Sequence, residues 1–389
     1  MPRKVKKVKI VDHAEGAVLT VEPDSDFLFS VELSLLARSR QYLHKDVYKL
    51  SEEIRIALER AAIYAHVDGL HEQGDASWLD WTITKDIAVP SKPKEHKFGL
   101  KLISPFFKFS RHHEWMPRMR TVMHILNDHF ELTTHHRCGT HIHVVPASGS
   151  WRLWQVKHLA VGAMYFERCL DAVMPPYRRS SVWAKSNRHN RWAAGLPMTE
   201  IFTRILDDAN MGNGKRGLDV EDVATRMNLC SMDSVTGQAL GEDNHFQHET
   251  FRWNFSNLKN AASVPRRGLG TVEFRQPPGS TTASDLATWI MLTGCFTRLA
   301  CRLADTIKPW ERAETKSLGE WLEYEAECLQ LPHKSLLRNL FRDADALPAD
   351  LRSSPDPTLI TFDEDKRMQL KDKDRNFTLM KYRRLLRHL

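Results

Sequence analysis

The sequence lacks the features that would assign it at once to a membrane or an extracellular class of protein. No uncharged apolar run approaches the roughly 20 residues that a membrane-spanning helix needs. The six cysteines form no CxxC pair and no regular framework, which favours a reducing compartment. The basic segment 1–10 is followed by acidic residues rather than by an apolar core, so it does not resemble a secretory signal. These absences together lead us to expect a cytoplasmic protein.

Charge of one sign is also scarce. The 389 residues include 56 basic and 49 acidic side chains, for a formal net charge of +7. So small an excess does not indicate nucleic acid as a partner, and it fits an enzyme with anionic ligands equally well. Short lysine-rich tails such as residues 1–10 are usually solvated rather than bound to nucleic acid. The sequence contains no internal repeat and does not reveal the oligomeric state.

Hydrophobic periodicity predicts an α+β fold. Residues 27–36 alternate between a fully apolar face and a mixed face with Glu32 at its centre, as a half-buried strand does. Several predicted strands are half-polar, whereas parallel strands buried on both faces are almost continuously apolar. We therefore expect a curved, mostly antiparallel sheet backed by helices. The patterns predict helices at 44–67, 114–129, 151–174 and 284–304, and further strands at 79–84, 98–104, 140–145, 251–258 and 270–276.

The remaining segments suggest how the chain is divided. Residues 177–250 are the least regular part, and the glycine-rich stretch 211–217 within them is a candidate mobile loop. From Trp310 onward the sequence is charged and has a helical pattern. We predict a catalytic domain over residues 1–308, with its core at 27–305, and a helical C-terminal appendage over 309–389.

The motif GTVEFRQ (270–276) carries the strongest local signal for chemistry. On a strand, Val272 and Phe274 point into the core, while Glu273 and Arg275 share the opposite face. A carboxylate and a guanidinium side by side can bind a metal ion and a phosphate group. The alternative is an exposed ion pair on a solvated strand, which is the commoner role of such residues.

The motif CGTHIHV (138–144) gives a second signal. His141 and His143 share one strand face and present two neighbouring imidazoles, as metal and phosphate sites require. Two hydrogen-bonded histidines without a catalytic role are the alternative. Glu32, the histidine pair and Glu273 with Arg275 lie on three separate strands that repeat one design, an apolar inner face and a polar outer face. This repetition favours one shared site.

Six motifs in a fixed order resemble the putative amidoligase family. They are FSVEL, WTITKD, GLKLISP, CGTHIHV, RWNFSNL and GTVEFRQ, followed by a helix around Trp289. The resemblance spans roughly residues 27–305, and CGTHIHV and GTVEFRQ are its most specific pieces. The family is part of the carboxylate-amine ligase superfamily of glutamine synthetase and glutamate-cysteine ligase.

The resemblance implies a glutamine synthetase-like catalytic core that binds ATP and Mg²⁺. It also implies a reaction in which a small carboxylate, such as an amino acid, forms an acyl phosphate that an amine converts to an amide. Oxygen ligands suit Mg²⁺, and cations stabilise charge on a transferred phosphoryl group. By resemblance the metal ligands are Glu32, His141, His143 and Glu273. Glu273 and Arg275 are the catalytic residues that the resemblance implies, and Arg275, Asn257, Arg178 and Arg179 are those that bind ATP or substrate. We add Lys101 to both groups on the chemistry of its ammonium.

The sequence departs from the family pattern at two positions. Ser34 and Lys101 stand where the family usually has glutamates. The ammonium of Lys101 would occupy the place of one metal ion and contact phosphate, and Asp86 would supply part of the missing negative charge. An alternative is a weakened or inactive relative that binds a nucleotide or a partner. A metal-dependent hydrolase built on the two histidines is a third hypothesis.

Overall fold

The fold is organised around β1 (Phe27–Ser39), a strand of 13 residues that is hydrogen-bonded along both edges. In the computed structural model, residues 26–344 are described apart from 71–79, 180, 182, 191, 207–216, 229–249, 260–269 and 305. One edge of β1 pairs with β4 (Phe98–Ile103) and β5 (Phe107–Lys108). The other edge pairs with β7 (Thr140–Pro146) and β6 (Phe130–Thr133). The middle of β1 is therefore fixed from both sides, and this is where Glu32 lies.

The sheet has nine strands within the described part of the chain, in the order β2-β3-β4-β1-β7-β9-β8, with β5 and β6 also paired to β1. Every strand pair is antiparallel except β2 with β3. The predicted α+β class with a mostly antiparallel sheet is confirmed. The strands after β1 are β2 (Ala65–Val67), β3 (Trp81–Lys85), β4 (Phe98–Ile103), β5 (Phe107–Lys108), β6 (Phe130–Thr133), β7 (Thr140–Pro146), β8 (Trp253–Asn254) and β9 (Val272–Phe274).

The two faces of the sheet follow from the alternation seen in the sequence. The odd-numbered residues of β1, from Phe27 to Leu35, are almost fully buried in the main hydrophobic core. Ile142 and Val144 on β7 and Phe274 on β9 continue that apolar face across the sheet. The opposite face carries the polar side chains, because successive residues of a strand point to opposite sides.

Helices pack on the apolar face of the sheet, as predicted. Trp115 lies edge-on to Phe29 of β1, with 5.3 Å between the ring centroids. Thr282 caps the long helix α8 by accepting a hydrogen bond from the Asp285 amide at 3.1 Å. The helices are α1 (Val47–Glu59), α2 (His112–His129), α3 (Leu153–Tyr165), α4 (Glu167–Ala172), α5 (Pro176–Arg179), α6 (Met198–Leu206), α7 (Val220–Met227), α8 (Ala283–Leu303), α9 (Thr315–Cys328) and α10 (Ser335–Ala344).

The predicted helix at 44–67 is wrong in its second half. Helix α1 ends at Glu59, and Ala62 has a φ of 56°, a left-handed conformation that ends a helix. Ala65 and Val67 then form β2, where they are buried against the core. Ala65 lies four residues after Ala61 and so fitted the helical period, but the spacing of two between Ala65 and Val67 fits one face of a strand.

Three other predicted elements are shorter than expected. The helix predicted at 151–174 is broken at Phe166 into α3 and α4. The strand predicted at 251–258 is limited to β8, because the chain turns into a 3₁₀ helix at Ser256–Leu258. The strand predicted at 270–276 is limited to β9. The glycine-rich stretch 211–217 lies outside the described residues except for Gly217.

The C-terminal helices α9 and α10 pack on one another and on α8. Leu322 of α9 and Phe341 of α10 belong to the same hydrophobic core as the sheet. Glu325 of α9 is buried and forms an ion pair with Arg298 of α8 at 3.3 Å. The described part of the predicted appendage is thus helical, while the domain boundary at residue 308 stays a prediction.

No helix within the described residues is both long and apolar enough to cross a bilayer.

Candidate functional site

The polar face of the sheet collects charged side chains around the middle of β1. Cross-strand pairing places Glu32 opposite His141 on β7, and His143 opposite Glu273 on β9. On the other edge of β1, Lys101 of β4 lies opposite Ser34. Directly opposite and diagonal neighbours on one face of a sheet lie within side-chain reach. The sheet register therefore assembles a site from residues that are far apart in the sequence.

Two carboxylates and two imidazoles form the centre of this site. The Nε2 atom of His143 lies 3.2 Å from Oε1 of Glu32 and 3.7 Å from Oε1 of Glu273. The Nδ1 atom of His141 lies 3.0 Å from Oε1 of Glu273 and 3.6 Å from Oε2 of Glu32. All four side chains turn toward one another rather than into bulk water. We call these four residues the acidic cluster.

The acidic cluster has the donor set of a divalent cation site. One ligand atom each from Glu32, His143 and Glu273 lies within 4.8 Å of the other two. Nδ1 of His141 and Nε2 of His143 are buried, and neither has the alignment of a hydrogen bond to any described residue. Buried polar atoms are nearly always satisfied, so two such nitrogens in one cluster point to a ligand. Carboxylate oxygens suit Mg²⁺ and Mn²⁺, and imidazole nitrogens suit transition metals.

Lys101 closes one side of the acidic cluster. Its Nζ atom donates a hydrogen bond to Oε2 of Glu32 at 2.6 Å. Burial by itself would lower the pKa of Lys101, but the charges of Glu32 and Asp86 outweigh burial and raise that pKa. Burial likewise opposes ionisation of Glu32, yet the ammonium of Lys101 holds the pKa of that carboxyl well below its usual range. Both groups are therefore charged at neutral pH.

Glu273 is the most deeply buried carboxylate of the cluster, with 3% of its surface exposed. Its Oε1 atom accepts a hydrogen bond from Nη1 of Arg275 at 2.6 Å, and its Oε2 atom accepts one from Nδ2 of Asn254 at 2.9 Å. Burial would raise the pKa of Glu273, but the charges of Arg275 and His143 lower it well below the usual value. Glu273 is thus an ionised and firmly oriented carboxylate.

A relay of hydrogen bonds orients the ring of His143. Its Nδ1 atom lies 3.1 Å from Oγ1 of Thr271, and the same hydroxyl accepts a hydrogen bond from the Asn257 amide at 3.1 Å. Holding Nδ1 in this way turns Nε2 toward the two carboxylates. Burial opposes the charged form of His143, but Glu273 and Glu32 raise its pKa. Asn257, predicted to bind a ligand directly, contacts the cluster only through Thr271.

Arg178 and Arg179 separate into different roles. Arg178 is 1% exposed, and its guanidinium donates to the carbonyl oxygens of Gln276 at 2.8 Å and Arg275 at 2.6 Å. No carboxylate among the described residues forms an ion pair with Arg178, and burial together with the charge of Arg275 lowers its pKa to about 10. Arg179 donates to the Met174 carbonyl oxygen of its own turn at 2.8 Å. Of the two, Arg178 is the cation that borders the site.

Two glycines let loops approach the polar face closely. A Cβ atom on Gly139 would lie 2.8 Å from Nε2 of His141 and 3.3 Å from Nη2 of Arg178. A Cβ atom on Gly99 would lie 2.4 Å from the Val89 carbonyl oxygen. Larger residues at either position would displace the loop or the site side chains. The loops at 86–97 and 134–139 consequently form walls of the site, joined by a small apolar cluster of Leu36, Val89 and Cys138.

The structure thus brings together Glu32, His141, His143, Glu273, Arg275 and Lys101, with Arg178 beside them, and leaves Arg179 and Asn257 outside direct contact. Sequence analysis missed Asn254 and Thr271. Asn254 lies in the motif RWNFSNL, and a two-residue alternation from Arg252 would have placed it on the face opposite to Trp253. No sequence signal separates Thr271 from other threonines, because its role depends on the position of His143.

Comparison with known proteins adds one finding. A family model described as "Putative amidoligase enzyme" matches residues 29–297, which is more than half of the chain and includes every residue of the acidic cluster. No curated protein matches the chain.

Proposed function

The chain belongs to the putative amidoligase family, and from this membership we propose that it is an ATP-dependent ligase that forms an amide between a small carboxylate and an amine. The observation that carries the proposal is the convergence of the acidic cluster, Lys101 and Arg275 on one face of the sheet. A site for phosphoryl transfer needs both a place for a divalent cation and fixed positive groups for the transferred phosphate.

The acidic cluster is where we place the divalent cation. Glu32, His143 and Glu273 would hold it, and Nδ1 of His141 faces the same two carboxylates. When bound, such an ion neutralises phosphate oxygens and draws charge from the leaving nucleotide. Thr271 and Asn254 hold the ligands in orientation, the first through His143 and the second through Glu273.

The cationic side chains around the cluster are suited to the two substrates. Arg275 and Lys101 present N–H donors beside the carboxylates that they pair with, so both can contact a phosphoryl group. Arg178 is buried with only carbonyl oxygens as acceptors, and an anionic substrate group would offset its charge. We assign Arg178 to the carboxylate substrate.

The reaction we propose has two steps. An oxygen of the substrate carboxylate attacks the γ-phosphorus of ATP, the bond to the β-phosphate oxygen breaks, and ADP leaves. The nitrogen of the amine then attacks the carbonyl carbon of the acyl phosphate, inorganic phosphate leaves, and the nitrogen gives up a proton. We also propose a glutamine synthetase-like core as the structural relationship, which the mostly antiparallel, helix-backed sheet supports.

Release of ADP and phosphate tests this proposal. Purified protein would be incubated with ATP, Mg²⁺ or Mn²⁺, single amino acids and ammonium, and hydroxylamine would be added to trap the acyl phosphate as a hydroxamate. We expect turnover that depends on both substrates and falls by more than about 100-fold in Glu273→Gln. Glu131→Gln, the same change in a surface ion pair on β6, is the matched control. Absence of nucleotide turnover, with nucleotide binding unchanged in Glu273→Gln, would contradict the proposal.

A second candidate is a relative that binds a nucleotide without turnover. The positions of Ser34 and Lys101 favour it, because a hydroxyl and an ammonium replace two potential carboxylate ligands beside Glu32. Tight nucleotide binding without any divalent ion and without ADP release would support this candidate. A hydrolase built on His141 and His143 stays a separate prediction, which the transition-metal content of the purified protein tests.

A further inference from the structure

Lys101 lies between two carboxylates on the polar face of the sheet. Sheet register places it opposite Ser34 on β1 and opposite Thr84 on β3. Glu32 is two residues from Ser34, and Asp86 is two residues from Thr84, so both acids lie on the same face one step from Lys101. Asp86 is 5% exposed and uses one oxygen to accept the Ala88 amide at 2.8 Å. The ammonium thus fills a position flanked by negative charge.

The two oxygen atoms of the Glu32 carboxylate face different partners. Its Oε2 atom accepts from Lys101 at 2.6 Å, while its Oε1 atom lies 3.2 Å from His143 within the acidic cluster. A carboxylate between two metal ions would offer one oxygen to each of them. Here the ammonium of Lys101 occupies one of these two cation positions, beside Oε2 of Glu32.

The charges near the cluster also favour a single metal ion. Glu32 and Glu273 contribute two negative charges, and Lys101 and Arg275 contribute two positive charges. One divalent ion would give these four groups a charge of about +2 toward a nucleotide triphosphate. A second ion would add two more positive charges, and the remaining nearby carboxylate, Asp86, already lies beside the ammonium of Lys101. Among the described residues, Glu32, His143 and Glu273 are the one group that meets the geometry of a metal site.

We propose that Lys101 replaces a divalent ion, so that this ligase site works with one metal ion and one fixed ammonium. The inference rests on the proposed function, because it names the cations that the nucleotide would meet. An ammonium has three N–H donors, and Glu32 takes one of them. The other two are free to contact phosphate oxygens in the space that a second metal ion would otherwise serve.

Counting bound Mn²⁺ tests the inference without any turnover. The full chain would be titrated with Mn²⁺ in the presence of a non-hydrolysable ATP analogue, and free Mn²⁺ would be measured by electron paramagnetic resonance. We expect one ion per wild-type chain and two ions per chain in Lys101→Glu, which adds a carboxylate between Glu32 and Asp86. Lys85→Glu makes the same charge change at an exposed lysine on β3, and we expect it to keep one ion.

Lys101→Gln keeps the inference testable if Lys101→Glu does not fold. This variant should still bind one Mn²⁺ ion and should bind the analogue about 10- to 100-fold more weakly, as expected for a lost hydrogen bond to a charged group. Two ions or none in the wild type, one ion in folded Lys101→Glu, or unchanged analogue affinity in Lys101→Gln would each overturn the inference. A chain that binds one ion yet never forms an amide would contradict only the proposed function.

Discussion

Two polar networks near β8 and β9 use the same kinds of side chain with opposite outcomes. Beneath the strands, Arg252 donates to Asp171 at 2.9 Å, lies 3.0 Å from Glu167, and donates to the carbonyl oxygens of Ala184 and Arg179. Glu167 in turn accepts from the Asn187 amide at 2.9 Å and from Ser186. We call this set of residues the buried network. Within it, both carboxylates pair with the guanidinium of Arg252.

The acidic cluster differs from the buried network in the hydrogen bonding of its buried nitrogen atoms. Two imidazole nitrogens have no aligned partner, and the nearby Arg178 is bonded only to carbonyl oxygens. Both regions contain acidic and basic side chains that are largely withdrawn from solvent. The difference teaches that residue type and burial alone do not separate the two regions, whereas the surroundings of the charged groups do: Arg252 faces two carboxylates, and buried Arg178 faces only carbonyl oxygens among the described residues.

The largest effect should come from breaking the buried network. Arg252→Met removes the cation that Asp171 and Glu167 share, and we expect the free energy of unfolding to fall by about 3–5 kcal/mol. Urea denaturation measures this loss. Arg338→Met breaks an exposed ion pair with Glu323 on α9 and should cost far less stability, because solvent screens such pairs. Equal losses in the two variants would show that the buried network is not structural.

Removing a ligand from the acidic cluster should act on binding instead of folding. In His143→Gln we expect the affinity for Mn²⁺ to fall by more than about 100-fold, since ligand loss exceeds the 10- to 100-fold cost of changing an outer partner. Isothermal titration with Mn²⁺ measures the change. His124→Gln, at an exposed histidine of α2, is the control and should leave the affinity unchanged. An unaltered affinity in His143→Gln would remove the assignment of the cluster as a cation site.

A smaller effect should come from Thr271, which contacts His143 but is not a member of the acidic cluster. Thr271→Val deletes the hydroxyl that orients His143, and we expect Mn²⁺ affinity to fall by roughly 10-fold or somewhat more. Thr271→Ser keeps the hydroxyl and should restore most of the affinity. Thr121→Val, at an exposed threonine of α2, is the matched control. If the valine and serine variants bind Mn²⁺ equally, the relay through Thr271 does not position His143.

The smallest effect should be a pH dependence at the loop that borders the cluster. Burial, followed by the charges of His136, Arg137 and Lys92, lowers the pKa of His135 to about 4 from its ordinary value of 6.5. Between those values the unfolded chain binds a proton at this ring that the folded chain does not, so stability falls as the pH drops.

Urea midpoints at pH 4.5 and pH 7 measure this dependence, for the wild type and for His135→Asn. We expect the variant to lose less stability on acidification, while His113→Asn, at an exposed position on α2, should behave as the wild type does. The same loss in His135→Asn and in the wild type would show that His135 does not carry the dependence.

The sequence contained the parts of the fold that depend on alternation. The apolar face of β1, the polar placement of Glu32, and the shared faces of the pairs His141 with His143 and Glu273 with Arg275 all followed from a period of two. The end of α1 did not, because it depends on the left-handed backbone at Ala62, which no local pattern announces. The brevity of β8 and β9 likewise depends on where neighbouring chain segments end their pairing.

The residues of the candidate site also fall into two groups, those that could be predicted from the sequence and those that required the fold. Side chains that share a face with their strand neighbours could be predicted. The contact between Lys101 and Glu32 depends on the register of β1 with β4, which the sequence does not reveal. The role of Asn254 required the β8–β9 pairing, and the separation of Arg178 from Arg179 required the turn at α5. Contacts between residues far apart in the sequence are set by tertiary packing, so one sequence without its fold does not reveal them.

The two carboxylates of the acidic cluster are synthesised at different times, because β1 and β9 lie far apart in the sequence. Glu32 is made early during translation, whereas the strand that carries Glu273 follows only after most of the described chain. Until β9 has left the ribosome and paired with β7, the nascent chain holds Glu32, two imidazoles and the ammonium of Lys101 but lacks Glu273, the second carboxylate of the acidic cluster. Ion capture should therefore report that synthesis has passed residue 274, and truncated products ending earlier should be unable to compete for the metal.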